Sequence, residues 1–224
     1  MTLLQNNAIY INKQVVEDFS LELKNDDVID IKWPESNSNI KAHKVRISPD
    51  LNKNKESAIV IFNKPAWYVV SKWDSHNKDI YEVLPKEFAN YIYIGRLDKD
   101  STGILLLTDD GELANQMAHP SFDKEKKYVV GVRPLPTDED LQNMVDGAEV
   151  MIYDKPVFLD FVNVEILWHR KLQITLAEGK NRHIKRLIQH FWYHCTSIHR
   201  SNFWEYELWD LTPWEYRIIK VKKK

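Results

Sequence analysis

The chain is poor in the residues that several protein classes require. Only one of its 224 residues is cysteine, Cys195, which excludes an intramolecular disulfide and a cysteine-built metal centre and suits a reducing compartment. Its six glycines form neither a phosphate-binding loop nor a dinucleotide fingerprint, and no zinc-type Cys/His cluster is present. No cofactor and no metal are therefore expected. The longest apolar runs, such as residues 58–62 and 104–107, are far too short to span a bilayer, and the start MTLLQNNAIY lacks a basic segment followed by a long apolar one. These absences point to a cytoplasmic protein without a membrane partner. Charge of one sign is missing too: Lys plus Arg is 31 and Asp plus Glu is 33, a net charge of −2, so the whole-chain basic signature of many nucleic-acid binders is absent.

What is present is a foldable chain, 43% apolar and 12% aromatic, near the upper size of a single domain. Its charge is graded: residues 178–224 carry 10 basic and 5 acidic side chains, whereas residues 57–177 carry 13 and 19. An anionic partner should meet the C-terminal part. A polar stretch at residues 35–55 is the one credible boundary. Before it, short runs at 8–11, 15–16 and 28–31, with turns at Asn12-Lys13 and residues 25–27, read as a small β-rich piece. After it, strands are expected at 58–62, 91–94, 104–107, 128–132 and 172–176. Helices are expected from Asp109, at capping-box spacing to Glu112, through His119 with Pro120 as the stop, and over 137–145 with Thr137 as cap. A third helix over 180–191 places Ile184, Leu187, Ile188 and Phe191 on one face and Arg182, Lys185 and Arg186 on the other.

Asp98 stands on a polar loop between two of these apolar strands, in Gly95-Arg96-Leu97-Asp98. A carboxylate gripped in this way is held rigidly enough to act as nucleophile or base, although an aspartate in a loop is more often a turn-former. Its company extends the argument. Asn63-Lys64-Pro65, the segment Gly95 to Gly111, His119-Pro120, Lys127-Tyr128-Val129-Val130, Glu178-Gly-Lys-Asn-Arg-His-Ile-Lys-Arg186, Ser197-Ile198-His199-Arg200 and residues 211–217 occur in order. Together they resemble the RNA pseudouridine synthases, within them the RsuA-type family that acts at single sites of ribosomal RNA.

The resemblance implies a pseudouridine synthase fold. This is an α+β catalytic domain over residues 57–224, with a long, mostly antiparallel mixed sheet, flanking helices and a central cleft. It implies isomerisation of uridine to pseudouridine in RNA, with no cofactor, by a monomer. Asp98 matches the catalytic aspartate, Tyr128 the tyrosine that stacks on uracil, and Lys185 the basic partner of the aspartate. Whether the carboxylate attacks the sugar, attacks the base or abstracts a sugar proton is left open by the residues. Arg96 matches the arginine that fills the space vacated by the extruded base, while Leu106 and Ile198 stand where the uracil pocket is walled. Arg182, Arg186 and Arg200 are the candidate RNA contacts of the basic C-terminal part. Gly103, Gly111 and Gly179 sit in motif turns, consistent with positive φ or close backbone approach.

Three departures accompany the match. His183 replaces a glutamine, Trp204 and Trp214 lie where glycine is common, and residues 1–50 resemble only the strand half of an S4-type RNA-binding domain. Two other readings compete: a catalytically inactive RNA-binding or ribosome-assembly factor on the same fold, and a glycoside-cleaving hydrolase. The hydrolase needs a second placed acid where the motifs supply Lys185.

Overall fold

A computed structural model describes residues 9–16, 28–31, 43–46, 57–72, 74–118 and 124–221. The chain divides into two units, Met1–Lys55 and Glu56–Lys222. The first carries strands β1 (Ile9–Ile11), β2 (Gln14–Val15), β3 (Val28–Ile31) and β4 (His43–Arg46), joined antiparallel in the order β2-β1-β3-β4. Asn12 and Lys13 both have left-handed backbone, the conformation that a two-residue hairpin turn demands. Strand β4 falls inside the stretch that the sequence presents as a polar linker. His43-Lys44-Val45-Arg46 has one apolar residue, so periodicity gives no signal, and pairing with β3 makes the strand. The expected turn at 25–27 and the His119-Pro120 stop lie outside the described residues.

The second unit runs β5 (Ser57–Lys64), β6 (Ile92–Ile94), β7 (Thr102–Thr108), α1 (Gly111–Ala118), β8 (Lys126–Arg133) and α2 (Asp138–Asp146). It continues with β9 (Ala148–Ile152), β10 (Lys155–Leu159), β11 (Asn163–Ile166), β12 (Lys171–Leu176), α3 (His183–His190), β13 (His194–Phe203), β14 (Tyr206–Glu207) and β15 (Tyr216–Val221). Strands β9 and β10 form a separate hairpin, and the rest build one sheet in the order β11-β12-β8-β13-β7-β5-β15, with β14 on β13 and β6 on β7. Every pairing in this sheet is antiparallel except the short central one between β13 and β7. The expected mostly antiparallel mixed sheet is what the chain forms.

Alternation along the central strands fills both faces of the sheet. Val60, Phe62, Leu105 and Leu107 enter one core with Tyr128, Val130, Ile184 and Ile198; Ile59, Ile61, Ile104 and Leu106 enter the other with Ile94, Ala114 and Met117. Leu106 thus corrects an expectation. It is fully buried on the face away from Tyr128 and Ile198 and packs with the α1 side of the sheet, so it walls no pocket with them.

The helix starts are set by local hydrogen bonds. Thr137 caps α2 by accepting from the Asp140 amide, three acidic residues complement its first turn, and Gly147 follows its end at φ 84°. At α1 the cap shifts one residue from expectation: Asp110, not Asp109, accepts from the Glu112 and Leu113 amides, while Asp109 accepts from the Ala58 amide of β5. Helix α3 begins at His183 rather than at 180 because Arg182 adopts left-handed backbone at φ 51°.

Of the three motif glycines only Gly103 has positive φ; Gly111 opens α1 and a Cβ at Gly179 would meet nothing within 4 Å. Gly103 is where β7 meets β13, and a Cβ there would stand 2.2 Å from the Arg200 carbonyl oxygen at a φ of +109°. Only glycine lets the two strands approach. Gly103→Ala should therefore destabilise the second unit by about 3 kcal/mol or more, combining overpacking with backbone strain, measurable by denaturant unfolding.

Candidate active site

The loop from Gly95 to Ser101 links β6 to β7 and carries Asp98 at the mouth of a pocket. Tyr128 of β8, Leu176 of β12, His183, Ile184 and Lys185 of α3, and Ile198 of β13 line it, with Arg96, Lys180 and Arg182 contributing further positive charge. Alternation on β8 and β13 turns Tyr128 and Ile198 into the same core, and the first turn of α3 projects Lys185 toward the loop. The Lys185 ammonium lies 3.0 Å from the Asp98 carboxylate and 2.5 Å from that of Asp100. Partial burial pushes the Asp100 carboxyl up, but the Lys185 ammonium, through hydrogen bond and charge, outweighs it and holds the group below its ordinary value.

Two buried cations hold the loop from behind. Lys64 ends β5 with no exposed surface, and its ammonium donates to the carbonyls of Pro65 at 2.9 Å, Asp98 at 3.3 Å, Lys99 at 3.3 Å and Ser101 at 2.8 Å. Three of these four acceptors belong to the loop that presents Asp98, so one side chain sets the path of its backbone. Arg200 is the second cation. It is 2% exposed, and its Nε donates to the Ile104 carbonyl at 2.8 Å, with Nη1 directed at the Arg96 carbonyl.

The sequence candidates therefore separate. Asp98, Tyr128, Lys185, Arg96, Arg182 and Ile198 line one pocket. Leu106 does not, for the reason given above. Arg200 is corrected from an RNA contact to an internal tie, because a side chain enclosed in the sheet and bonded to backbone carbonyls has no face for phosphate. Arg186 is half-buried and outside the pocket, and its guanidinium donates to the Asn181 carbonyl and side chain and to the Met151 carbonyl. Lys64, Leu176, Lys180 and His183 were not among the candidate site residues. The available signal for Lys64 was a lysine closing an otherwise apolar strand immediately before Pro65. A cation there must either reach solvent or find buried acceptors.

Among the described residues no group of three or more His, Cys, Asp or Glu side chains is arranged to hold a metal ion. The lone thiol is no alternative nucleophile, since burial pushes Cys195 up to about 11. What remains is a carboxylate fixed beside an ammonium, next to a buried aromatic ring and beneath a cationic rim. This is the equipment of an enzyme that does carboxylate chemistry on an anionic substrate.

Comparison with known proteins makes the assignment specific. Residues 58–190 match the RNA pseudouridylate synthase family, and the chain belongs to it. It is 29% identical over 211 residues to the ribosomal large subunit pseudouridine synthase B of Buchnera aphidicola, covering 90% of this chain and 78% of that protein. It is 34% identical over 158 residues to the protein of the same name from Xanthomonas axonopodis, 66% of this chain but only 28% of that one. It is 29% identical to the ribosomal small subunit pseudouridine synthase A of Yersinia pestis over 73% of this chain and 69% of the relative. A crystal structure of a pseudouridylate synthase shares the fold, with a TM-score of 0.68 and 23% identity over 97% of this chain and 87% of that one.

The Lys64 clamp generates a test with a defined sign. Burial pushes the Lys64 ammonium down to about 8 from its ordinary 10.5, against the opposing pull of Asp100 and Asp98. The folded state therefore releases this proton before the unfolded state does, and stability gains from Lys64 as pH rises between those values. Lys64→Met should lose about 2–4 kcal/mol at neutral pH, from carbonyls left without a donor. Its deficit in unfolding free energy should widen from pH 8 toward 10.5, read by urea denaturation of both proteins across that range.

Proposed function

We propose that this protein converts a specific uridine of ribosomal RNA to pseudouridine without a cofactor. The observation that carries the reading is Asp98, held 3.0 Å from Lys185 in a pocket whose wall includes Tyr128 and whose rim includes Arg96, Lys180 and Arg182. In this isomerisation the N1–C1′ bond breaks, the uracil turns in place and C5 bonds to C1′. The C5 proton leaves and N1 takes one up, so nothing is oxidised and no group donor is consumed. The chemistry needs a carboxylate at the sugar or base, and Asp98 supplies it. Lys185 orients that carboxylate, Tyr128 offers a ring face to the base, and the cationic side chains around the pocket bind backbone phosphate. Arg96, exposed and in the pocket lining, is in this reading the side chain that fills the space left by the extruded base.

The target RNA follows from the names of the relatives, which include large- and small-subunit synthases. The inactive-factor reading has no feature of the pocket in its favour, because Asp98, Tyr128 and Lys185 all line it. We further read residues 1–50 as the strand half of an S4-type RNA-binding domain. We also read the protein as a monomer, and the lone cysteine is in keeping with the cytoplasm.

The test uses unmodified large- and small-subunit ribosomal RNA transcripts labelled with tritium at uridine C5, which reports turnover as label released to water, followed by chemical mapping of the product. Wild-type protein should release label from one site. Asp98→Asn should release none while retaining RNA binding, because a near-isosteric amide can be neither nucleophile nor base. Release by that variant would assign the chemistry to another residue. Turnover of a short, pre-folded substrate should survive dialysis against a chelator. Arg182→Ala should weaken binding and flatten its salt dependence by about 0.7–0.9 log units per log unit of salt for each phosphate that the variant no longer neutralises. Arg200→Ala should instead lower stability.

A further inference from the structure

His183 opens α3 and lines the Asp98 pocket, yet its ring nitrogens complete no hydrogen bond of ordinary geometry with the fold. The ring is 4% exposed and stacks on Phe161 with centroids 6.2 Å apart and planes 30° from parallel. By ordinary hydrogen-bond geometry neither Nδ1 nor Nε2 is satisfied among the described residues. Leaving buried polar atoms unpaired is costly, and an apolar side chain of similar volume would avoid the cost. Burial lowers the pKa of this histidine, opposed mainly by a weak hydrogen-bonding interaction of the ring with the Asp160 backbone, so the neutral ring prevails and at least one of its two nitrogens is left for a ligand.

Resting on the pseudouridine synthase reading, we propose that His183 is a specificity-determining residue that hydrogen-bonds the polar edge of the pyrimidine bound in this pocket. The base then supplies the partner that the protein withholds. The test measures kcat and KM on the tritium-labelled transcripts, together with thermal unfolding, for wild type, His183→Leu and His183→Gln. Leucine should preserve or raise the unfolding temperature while lowering kcat/KM at least tenfold, and glutamine, which restores a donor and an acceptor, should recover most of the loss. Wild-type kcat/KM in the leucine variant would overturn the proposal. So would parallel loss of stability and activity in both variants, which would make the ring a packing element. Absence of turnover by wild type would instead refute the proposed function.

A second observation, independent of the pocket, concerns tryptophan. The chain has eight tryptophans and six glycines, whereas glycine averages roughly 7% of residues in ordinary proteins. Six tryptophans lie among the described residues, and five of them have left-handed backbone: Trp67 (φ 74°), Trp192 (64°), Trp204 (55°), Trp209 (49°) and Trp214 (80°). That conformation is strained for a bulky side chain and ordinary for glycine. None of the five is buried: their side chains are between 47% and 93% exposed, and the ring contacts of Trp204, Trp209 and Trp214 with Lys124, Arg217 and Tyr68 lie at the surface.

Trp192 shows the mismatch most directly. The Tyr193 amide donates to the Ile188 carbonyl and the Trp192 amide to the Gln189 carbonyl, which is the Schellman termination of α3 with tryptophan in the position that glycine normally fills. We infer that glycine occupies these five positions in the protein made by its own organism, through a reassigned codon decoded there as glycine. Peptide mass spectrometry of protein purified from that organism should find glycine at all five, and Trp192→Gly and Trp204→Gly should raise the unfolding temperature of the tryptophan-containing chain. Tryptophan in the native peptides, or a lowered unfolding temperature in both variants, would overturn the inference.

Discussion

A buried ammonium enclosed by backbone carbonyls is the interaction on which the active centre depends. Lys64 leaves β5 and reaches the carbonyls of Asp98, Lys99 and Ser101, so the loop that presents the Asp98 carboxylate is anchored to the rigid middle of the sheet. Desolvating a lysine is unfavourable, and four carbonyl dipoles make it tolerable only when their geometry is satisfied together. The loop therefore has little freedom to sample other paths. Arg200 acts in the same manner from β13, binding the Ile104 carbonyl at the start of β7.

These anchors rely on a topological detail. The two halves of the large sheet meet where β13 and β7 run parallel for a short distance, and Gly103 is the residue without a side chain at that contact. Because the strands are close there, Arg200 reaches across to β7 while Tyr128 and Ile198, on neighbouring strands, share a core with Leu97 of the loop. Helix α3 completes the site. Its left-handed first cap residue, Arg182, lines the pocket, and its first turn sets His183, Ile184 and Lys185 along the wall.

Electrostatics is resolved locally rather than across the chain. A net charge of −2 gives no general attraction to RNA, yet Arg96, Lys180, Arg182 and Lys185 gather around Asp98 in the pocket. Lys185 also bridges Asp98 and Asp100, concentrating charge of both signs beside the pocket. Such an arrangement gives a locally cationic pocket on a chain of nearly balanced charge.

Much of this was legible from residue patterns. Apolar periodicity located the central strands and α2, and the ordered motifs named Asp98, Tyr128 and Lys185 before any geometry was known. Strand β4 and the cap of α1 were not legible in that way, since one depends on pairing and the other on which of two adjacent aspartates β5 engages. The sequence by itself determined which chemical groups are available and the order in which the chain delivers them. Only the tertiary structure decided that Arg200 is enclosed, that Leu106 faces the opposite core, that Arg186 is tied to Asn181 and Met151, and that Lys64 grips the loop of Asp98. The physical reason is that a residue's type gives its charge, size and hydrogen-bonding capacity. Whether it meets solvent, a carbonyl or an apolar neighbour is set by strand register and by residues distant in the chain.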